Sequence, residues 1–195
     1  QILLYSDGWY QAFNERFFIK LIGVQIHKPL RGRRSQSKEI FEVLKDILHD
    51  EEIEANTEPN LINVKNGLFN INTFKLEPHT PNKLFTYQIN AMYDQNAKCE
   101  RFEKFLEEVL VTEDKKRPDY DLIRLVQQFV GYCLYIEIPF HQCLMLYGSG
   151  RNGKSVLVFV ISWLFKKLTS QVQFEEIGED RFATADLVNK LINIS

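Results

Sequence analysis

Residues 148–155 constrain this chain more than any other stretch. They read GSGRNGKS and satisfy G-x-x-x-x-G-K-[S/T] at every fixed position. Chance alone places such a match on the order of once in a hundred chains of this length. Before the loop, Cys143 to Tyr147 is an apolar run expected to form a short buried strand. After it, Val156 to Phe165 is apolar without a break and reads as a helix. Strand, glycine loop and helix together are the context a phosphate-binding loop requires. Glycines let backbone N–H groups turn inward around a phosphate chain, and the helix aims the positive end of its dipole at the same spot. Gly148, Ser149, Gly150, Arg151, Asn152, Gly153, Lys154 and Ser155 are therefore the expected ATP-binding residues. Lys154 is the catalytic candidate, reaching the β and γ phosphates, and the Ser155 hydroxyl is the expected Mg²⁺ ligand. Arg151, which can touch a phosphate or a neighbouring subunit, is read first as solvent-exposed.

Composition narrows the remaining classes. With 45% hydrophobic and 26% charged residues, the chain has the make-up of an ordinary globular protein. A net charge of −2 argues against nucleic-acid binding by bulk charge. A local basic segment remains, with Lys28, Arg31, Arg33, Arg34 and Lys38 on a loop containing Pro29 and Gly32. Its functional reading is contact with a DNA backbone, and its bland reading is solvated surface. Cys99, Cys133 and Cys143 form no zinc spacing with His79 and His141. Cys133 and Cys143 are expected to be small buried hydrophobes. The odd cysteine count and the lack of a signal peptide fit a reducing cytoplasm. The longest apolar run falls short of the roughly 18 residues a transmembrane helix needs, so no membrane partner is expected.

Along the chain, Asp7-Gly8 between apolar runs predicts a hairpin, and Asn66-Gly67 between Leu61–Val64 and Leu68–Ile71 predicts another. Residues 15–26 fit helix or strand equally. The spacing of Ile40, Val43, Leu44, Ile47 and Leu48 predicts an amphipathic helix over 37–50. Helices are also expected over 99–111 and 119–136, the second with its stripe at Leu122, Leu125, Val126, Phe129, Val130, Cys133 and Leu134. Strands are expected at 169–174 and 191–194, with a short helix over 182–190. Trp9 and Trp163 read as packing residues, and His141 as a surface or satisfied core histidine.

Three segments, taken in order, resemble the C-terminal region of the phage and plasmid primase–helicases. This is a superfamily 3 helicase family that includes the poxvirus primase–helicase. Leu61 to Ile71, running on to Pro78–Pro81, resembles the hairpin of the small domain before the ATPase. Gln127 to Tyr135, leading through Cys143–Tyr147 into Gly148–Ser155, resembles the entry to the family's Walker A loop. Phe182 to Ser195 resembles the approach to its Walker B acids. The resemblance implies an α+β N-terminal accessory domain over 1–95, a helical linker over 96–138, and the first part of an α/β P-loop (AAA+-like) ATPase core over 139–195. It implies a parent that binds ATP and Mg²⁺, forms a ring, as a hexamer, and moves on single-stranded or forked DNA in a bacterial host.

The departure from the family pattern is truncation. Glu175, Glu176, Glu179, Asp180 and Asp186 do not sit where a hydrolytic acid belongs, and the Walker B acids are expected beyond Ser195. The piece in hand is expected to bind nucleotide without hydrolysing it. Two other classes fit the loop. One is a P-loop kinase or nucleotide switch, and the other is a non-motor DNA- or protein-binding adaptor working through the basic segment.

Overall fold

The computed structural model describes residues 2–14, 16, 20, 34–48, 53–114, 116–137, 140, 142–173, 175–176, 183–188 and 190–194. The content is mixed helix and sheet. Two compact units are present: residues 1–57 with 80–87, and residues 58–79 with 88–195.

The first unit opens with a hairpin of β1 (Leu3–Ser6) and β2 (Trp9–Ala12). Ser6 pairs with Trp9, so Asp7 and Gly8 form the two-residue turn, with φ of 54° and 87°. Both central residues at positive φ is the turn whose twist matches that of the strands. Tyr5 and Tyr10 face each other with ring centroids 5.1 Å apart. The Tyr10 N–H donates to the Phe85 carbonyl at 2.7 Å, and its hydroxyl donates to the Pro81 carbonyl at 2.6 Å. The Asn56 amide grips Thr86, donating to Oγ1 at 2.8 Å and accepting from the Thr86 N–H at 2.9 Å.

Helix α1 (Arg34–Ile47) also belongs to this unit. It starts earlier than the expected helix and takes Arg34 and Lys38 out of the expected basic loop. No proline or glycine follows Gly32 to stop it. Phe41 of α1 is buried, while Val43, Ile47 and Leu48 of the expected stripe are exposed. At 100° per residue, Val43 and Ile47 lie on the edge of the stripe away from Phe41. Leu48 lies past the helix end. The segment left open between helix and strand, 15–26, lies outside the described residues apart from Arg16 and Lys20.

The second unit contains the antiparallel meander β3 (Leu61–Val64), β4 (Gly67–Asn70) and β5 (Lys75–Glu77). Every residue of β3 is buried, Asn63 completely. His79 Nε2 lies 3.0 Å from Asn63 Oδ1 and 2.9 Å from the Val64 carbonyl. Both partners are acceptors, so Nε2 carries the hydrogen.

Val64 pairs with Gly67, which makes Lys65 and Asn66 the turn, one residue earlier than expected. Gly67 is needed for a different reason from turn conformation. A Cβ on it would overlap the Glu77 carbonyl of β5 and sit 2.9 Å from Leu76 Cγ. Asn66 instead pairs its amide with the backbone of Tyr93, donating at 2.8 Å and accepting at 2.9 Å. Residues 89–91 run beside β3, with the Ile89 N–H on the Asn63 carbonyl at 2.8 Å and a parallel bridge from Val64 to Ile89.

Helix α2 (Glu100–Val109) buries Leu106. Helix α3 (Tyr120–Cys133) begins at Asp119, whose carboxylate accepts from the N–H groups of Asp121 and Leu122, both at 3.1 Å. Its buried residues are Ile123 and Val126, while Leu122 and Leu125 of the expected stripe are exposed. Helix α4 (Lys154–Phe165) buries Leu157, Ile161 and Phe165, one turn apart each time. After it come β6 (Thr169–Ser170) and β7 (Ile192–Asn193), paired in parallel, with a 3₁₀ segment at Ala183–Leu187 in place of the expected longer helix. The expected strand over 169–174 stops early because the Asn193 amide takes both backbone groups of Val172. It accepts from the N–H at 2.9 Å and donates to the carbonyl at 2.9 Å. A longer ladder would have used the same two groups.

The expected buried strand at Cys143–Tyr147 is absent. The segment joins no ladder among the described residues, Cys143 is exposed, and Met145 and Tyr147 are 85% and 96% exposed. Leu144 and Leu146 are half-buried, so one side of the run alone is covered. No helix among the described residues is long and apolar enough to cross a membrane.

Two outcomes follow from this packing. Gly67→Ala should destabilise the protein by about 2 kcal/mol or more through overlap with β5, read as a lower urea midpoint. Burial pushes the Cys133 thiol up to about 11. Burial disfavours the thiolate, so near neutral pH Cys133 stays protonated. Iodoacetamide should therefore modify the exposed Cys99 and Cys143 at least about ten-fold faster than Cys133, followed by peptide mass spectrometry.

Candidate functional site

The residues of the glycine loop are described in full. Positive φ occurs at Gly150 (89°), Arg151 (50°) and Gly153 (81°). Three such residues within four positions turn the chain sharply, and two of them are glycine, which adopts this region without steric cost. Gly153 is the residue before α4, and the Leu157 N–H donates to its carbonyl at 3.0 Å, closing the first helical turn.

The start of α4 carries no compensating group of its own. Gly153 has no side chain to cap it, and no acid lies in the first turn. The first N–H groups of any helix lack intrahelical acceptors, and they carry the positive end of its dipole. Lys154 and Ser155 lie in that turn, with Ser155 exposed.

Lys154 does not extend into solvent. Its ammonium donates to the Gly148 carbonyl at 2.9 Å and to Asn152 Oδ1 at 2.8 Å. The lysine thus closes the loop on itself and brings its charge over the turn. Gly148 makes room for this arrangement, since a Cβ there would overlap Asn152 Nδ2. Gly153 faces the other way. A Cβ on it would lie 2.5 Å from Val109 Cγ1 and 3.2 Å from Phe105 Cε2, so α2 packs directly against the base of the loop. Arg151 is exposed, as expected. The arrangement can hold an anion with one cation, a helix terminus and a hydroxyl.

The remaining expected site residues are more dispersed. Lys28, Arg31, Arg33 and His141 lie outside the described residues, as do Glu179 and Asp180. Arg34 opens α1 and Lys38 sits one turn later, exposed. Glu175, Glu176 and Asp186 are exposed. No group of three or more His, Cys, Asp or Glu among the described residues is placed to hold a metal ion.

Sequence reasoning named Asn152 as a loop residue but did not foresee that it binds Lys154, and it missed Asn90. Asn90 caps the far end of α4, its N–H on the Leu164 carbonyl at 3.1 Å and its side chain on the Trp163 carbonyl at 3.0 Å. The position of Asn152 two residues before the lysine was the available signal for the first. Nothing local marks Asn90.

The contact between α2 and the loop has a direct test. Gly153→Ala should cost about 2 kcal/mol, from both its left-handed backbone and the crowding of Val109. In a double-mutant cycle with Val109→Ala, thermal unfolding should show a coupling of about 1 kcal/mol. Strict additivity would mean that α2 does not bear on the loop.

The family described as "D5 N terminal like" matches residues 14–111, about half of the chain. No curated protein matches it. Domains of this kind occur in phage and viral primase–helicase proteins. The region matched covers the hairpin at Leu61–Asn70, where the sequence already resembled the small domain of that group, and it includes α2, the helix beneath Gly153. The chain therefore belongs to the D5 N terminal like family.

Proposed function

We propose that residues 148–155 bind the phosphate chain of ATP together with Mg²⁺, and that the protein serves the ATP-driven motor of a phage- or plasmid-type primase–helicase. The observation that carries this reading is the open N-terminus of α4 beneath a folded-back Lys154. The helix has no cap and no acid in its first turn, and an ammonium is held over the loop at 2.9 and 2.8 Å from its own acceptors. Such a place favours an anion of high charge. Lys154 would neutralise the β and γ phosphates, the first N–H groups of α4 would donate to phosphate oxygens, and Ser155 would offer its hydroxyl to the metal. Mg²⁺ there would bridge phosphate oxygens and offset their charge.

Hydrolysis asks for more than this cradle. It needs a carboxylate that orients water and helps hold the metal, and Glu175, Glu176 and Asp186 are exposed. The reading for residues 148–155 is nucleotide binding without turnover by these three acids. An α+β accessory domain, a helical linker and a P-loop core are the architecture that goes with it. A ring on single-stranded or forked DNA is the assembly, and Lys38 and Arg34, with Lys28, Arg31 and Arg33, are the residues proposed to meet DNA.

Calorimetric titration with MgATP tests the site. Wild-type protein should bind, and Lys154→Ala should lower the affinity by about 100-fold or more. Equal binding by both would remove the loop from the reading. In a longer protein that hydrolyses ATP, indifference to added single-stranded DNA would remove the motor.

A further inference from the structure

We propose that Asn152 is a positioning residue, whose side-chain oxygen holds the Lys154 ammonium in place for an incoming phosphate. The assignment rests on the reading of residues 148–155 as a phosphate-binding loop and adds to it a role for a residue that the motif leaves unspecified. A lysine side chain has rotamer freedom to lose when it is fixed. Here two neutral acceptors have already fixed it, the Gly148 carbonyl at 2.9 Å and Asn152 Oδ1 at 2.8 Å. An ammonium has three N–H donors. Two are spent on the loop and one remains for a phosphate oxygen, so the lysine can bind without letting go of its supports.

The site is built for this contact. Arg151 at φ 50° turns the chain so that Asn152 folds back over the loop. The amide nitrogen of Asn152 then occupies the space where Gly148 would carry a Cβ. A side chain at the first glycine of the motif would therefore displace the Asn152 amide from this position. The choice of an amide also has a charge reason. An aspartate of the same shape would hold the ammonium more strongly and set a negative charge beside the phosphates, whereas the amide orients the lysine without repelling them.

Two readouts separate positioning from simple stability. The first uses no nucleotide: acylation of lysines by an N-hydroxysuccinimide ester, read by mass spectrometry against the exposed Lys166 and Lys167. Asn152→Ala should raise Lys154 labelling several-fold, as should Gly148→Ala, whose methyl displaces the amide. Asn152→Asp should leave Lys154 protected. The second readout is MgATP affinity. Asn152→Ala should lose about five- to ten-fold, the size of one charge-assisted hydrogen bond, and Asn152→Asp should lose more despite its protected lysine.

Unchanged Lys154 labelling in Asn152→Ala overturns the proposal, and so does wild-type affinity in Asn152→Asp. Should the alanine variant not fold, the isosteric aspartate variant carries the affinity arm and Gly148→Ala the labelling arm. If the wild type fails to bind MgATP, the loop reading falls by itself, and the labelling series still decides whether Asn152 holds Lys154.

Discussion

Helix α4 is anchored at both ends, and the arrangement of the second unit depends on it. At its start, Gly153 has no side chain, so α2 closes on the loop through Val109 and Phe105. At its end, Asn90 takes two carbonyls that would otherwise lack partners. Between these points Leu157, Ile161 and Phe165 are buried at one-turn intervals, with Phe165 at 0% exposure. A helix held in this way gives the glycine loop a fixed base.

The C-terminal anchor reaches further into the unit. Asn90 follows Ile89, whose N–H bonds the carbonyl of the fully buried Asn63 in β3. The Asn63 side chain in turn meets His79. A polar group in so dry a place is tolerable because its partners are close. Asn66, Asn90 and Asn193 all use their side chains on backbone groups, those of Tyr93, Trp163 and Val172. The short strands β6 and β7 pair in parallel, and Asn193 carries the contact on to Val172.

Much of the local structure was legible in the sequence, because local chemistry sets local backbone geometry. Asp7-Gly8 between apolar runs predicts a hairpin, and that hairpin forms. The apolar periodicity over 119–136 predicts a helix, and one forms over Tyr120–Cys133. The errors have a shared cause. Asn66-Gly67 marks a turn by composition, yet Gly67 is glycine because β5 lies against it, and the turn falls one residue earlier. The stripes on α1 and α3 were placed from periodicity, which identifies an apolar face but not which edge of it meets a neighbour. Phe41 and Ile123 are buried while Val43 and Leu125 are not. Cys143–Tyr147 has the composition of a strand, but a strand needs a ladder partner as well as apolar residues.

By itself the sequence determined the glycine-rich turn, the helix that follows it and the hairpins, since each is written in residues a few positions apart. Tertiary structure alone decided that α2 sits beneath Gly153 and that Asn90 caps a helix 73 residues further along the chain. Such contacts depend on where the backbone returns after long excursions. No local propensity encodes that return, because it is set by the simultaneous burial of distant apolar surfaces.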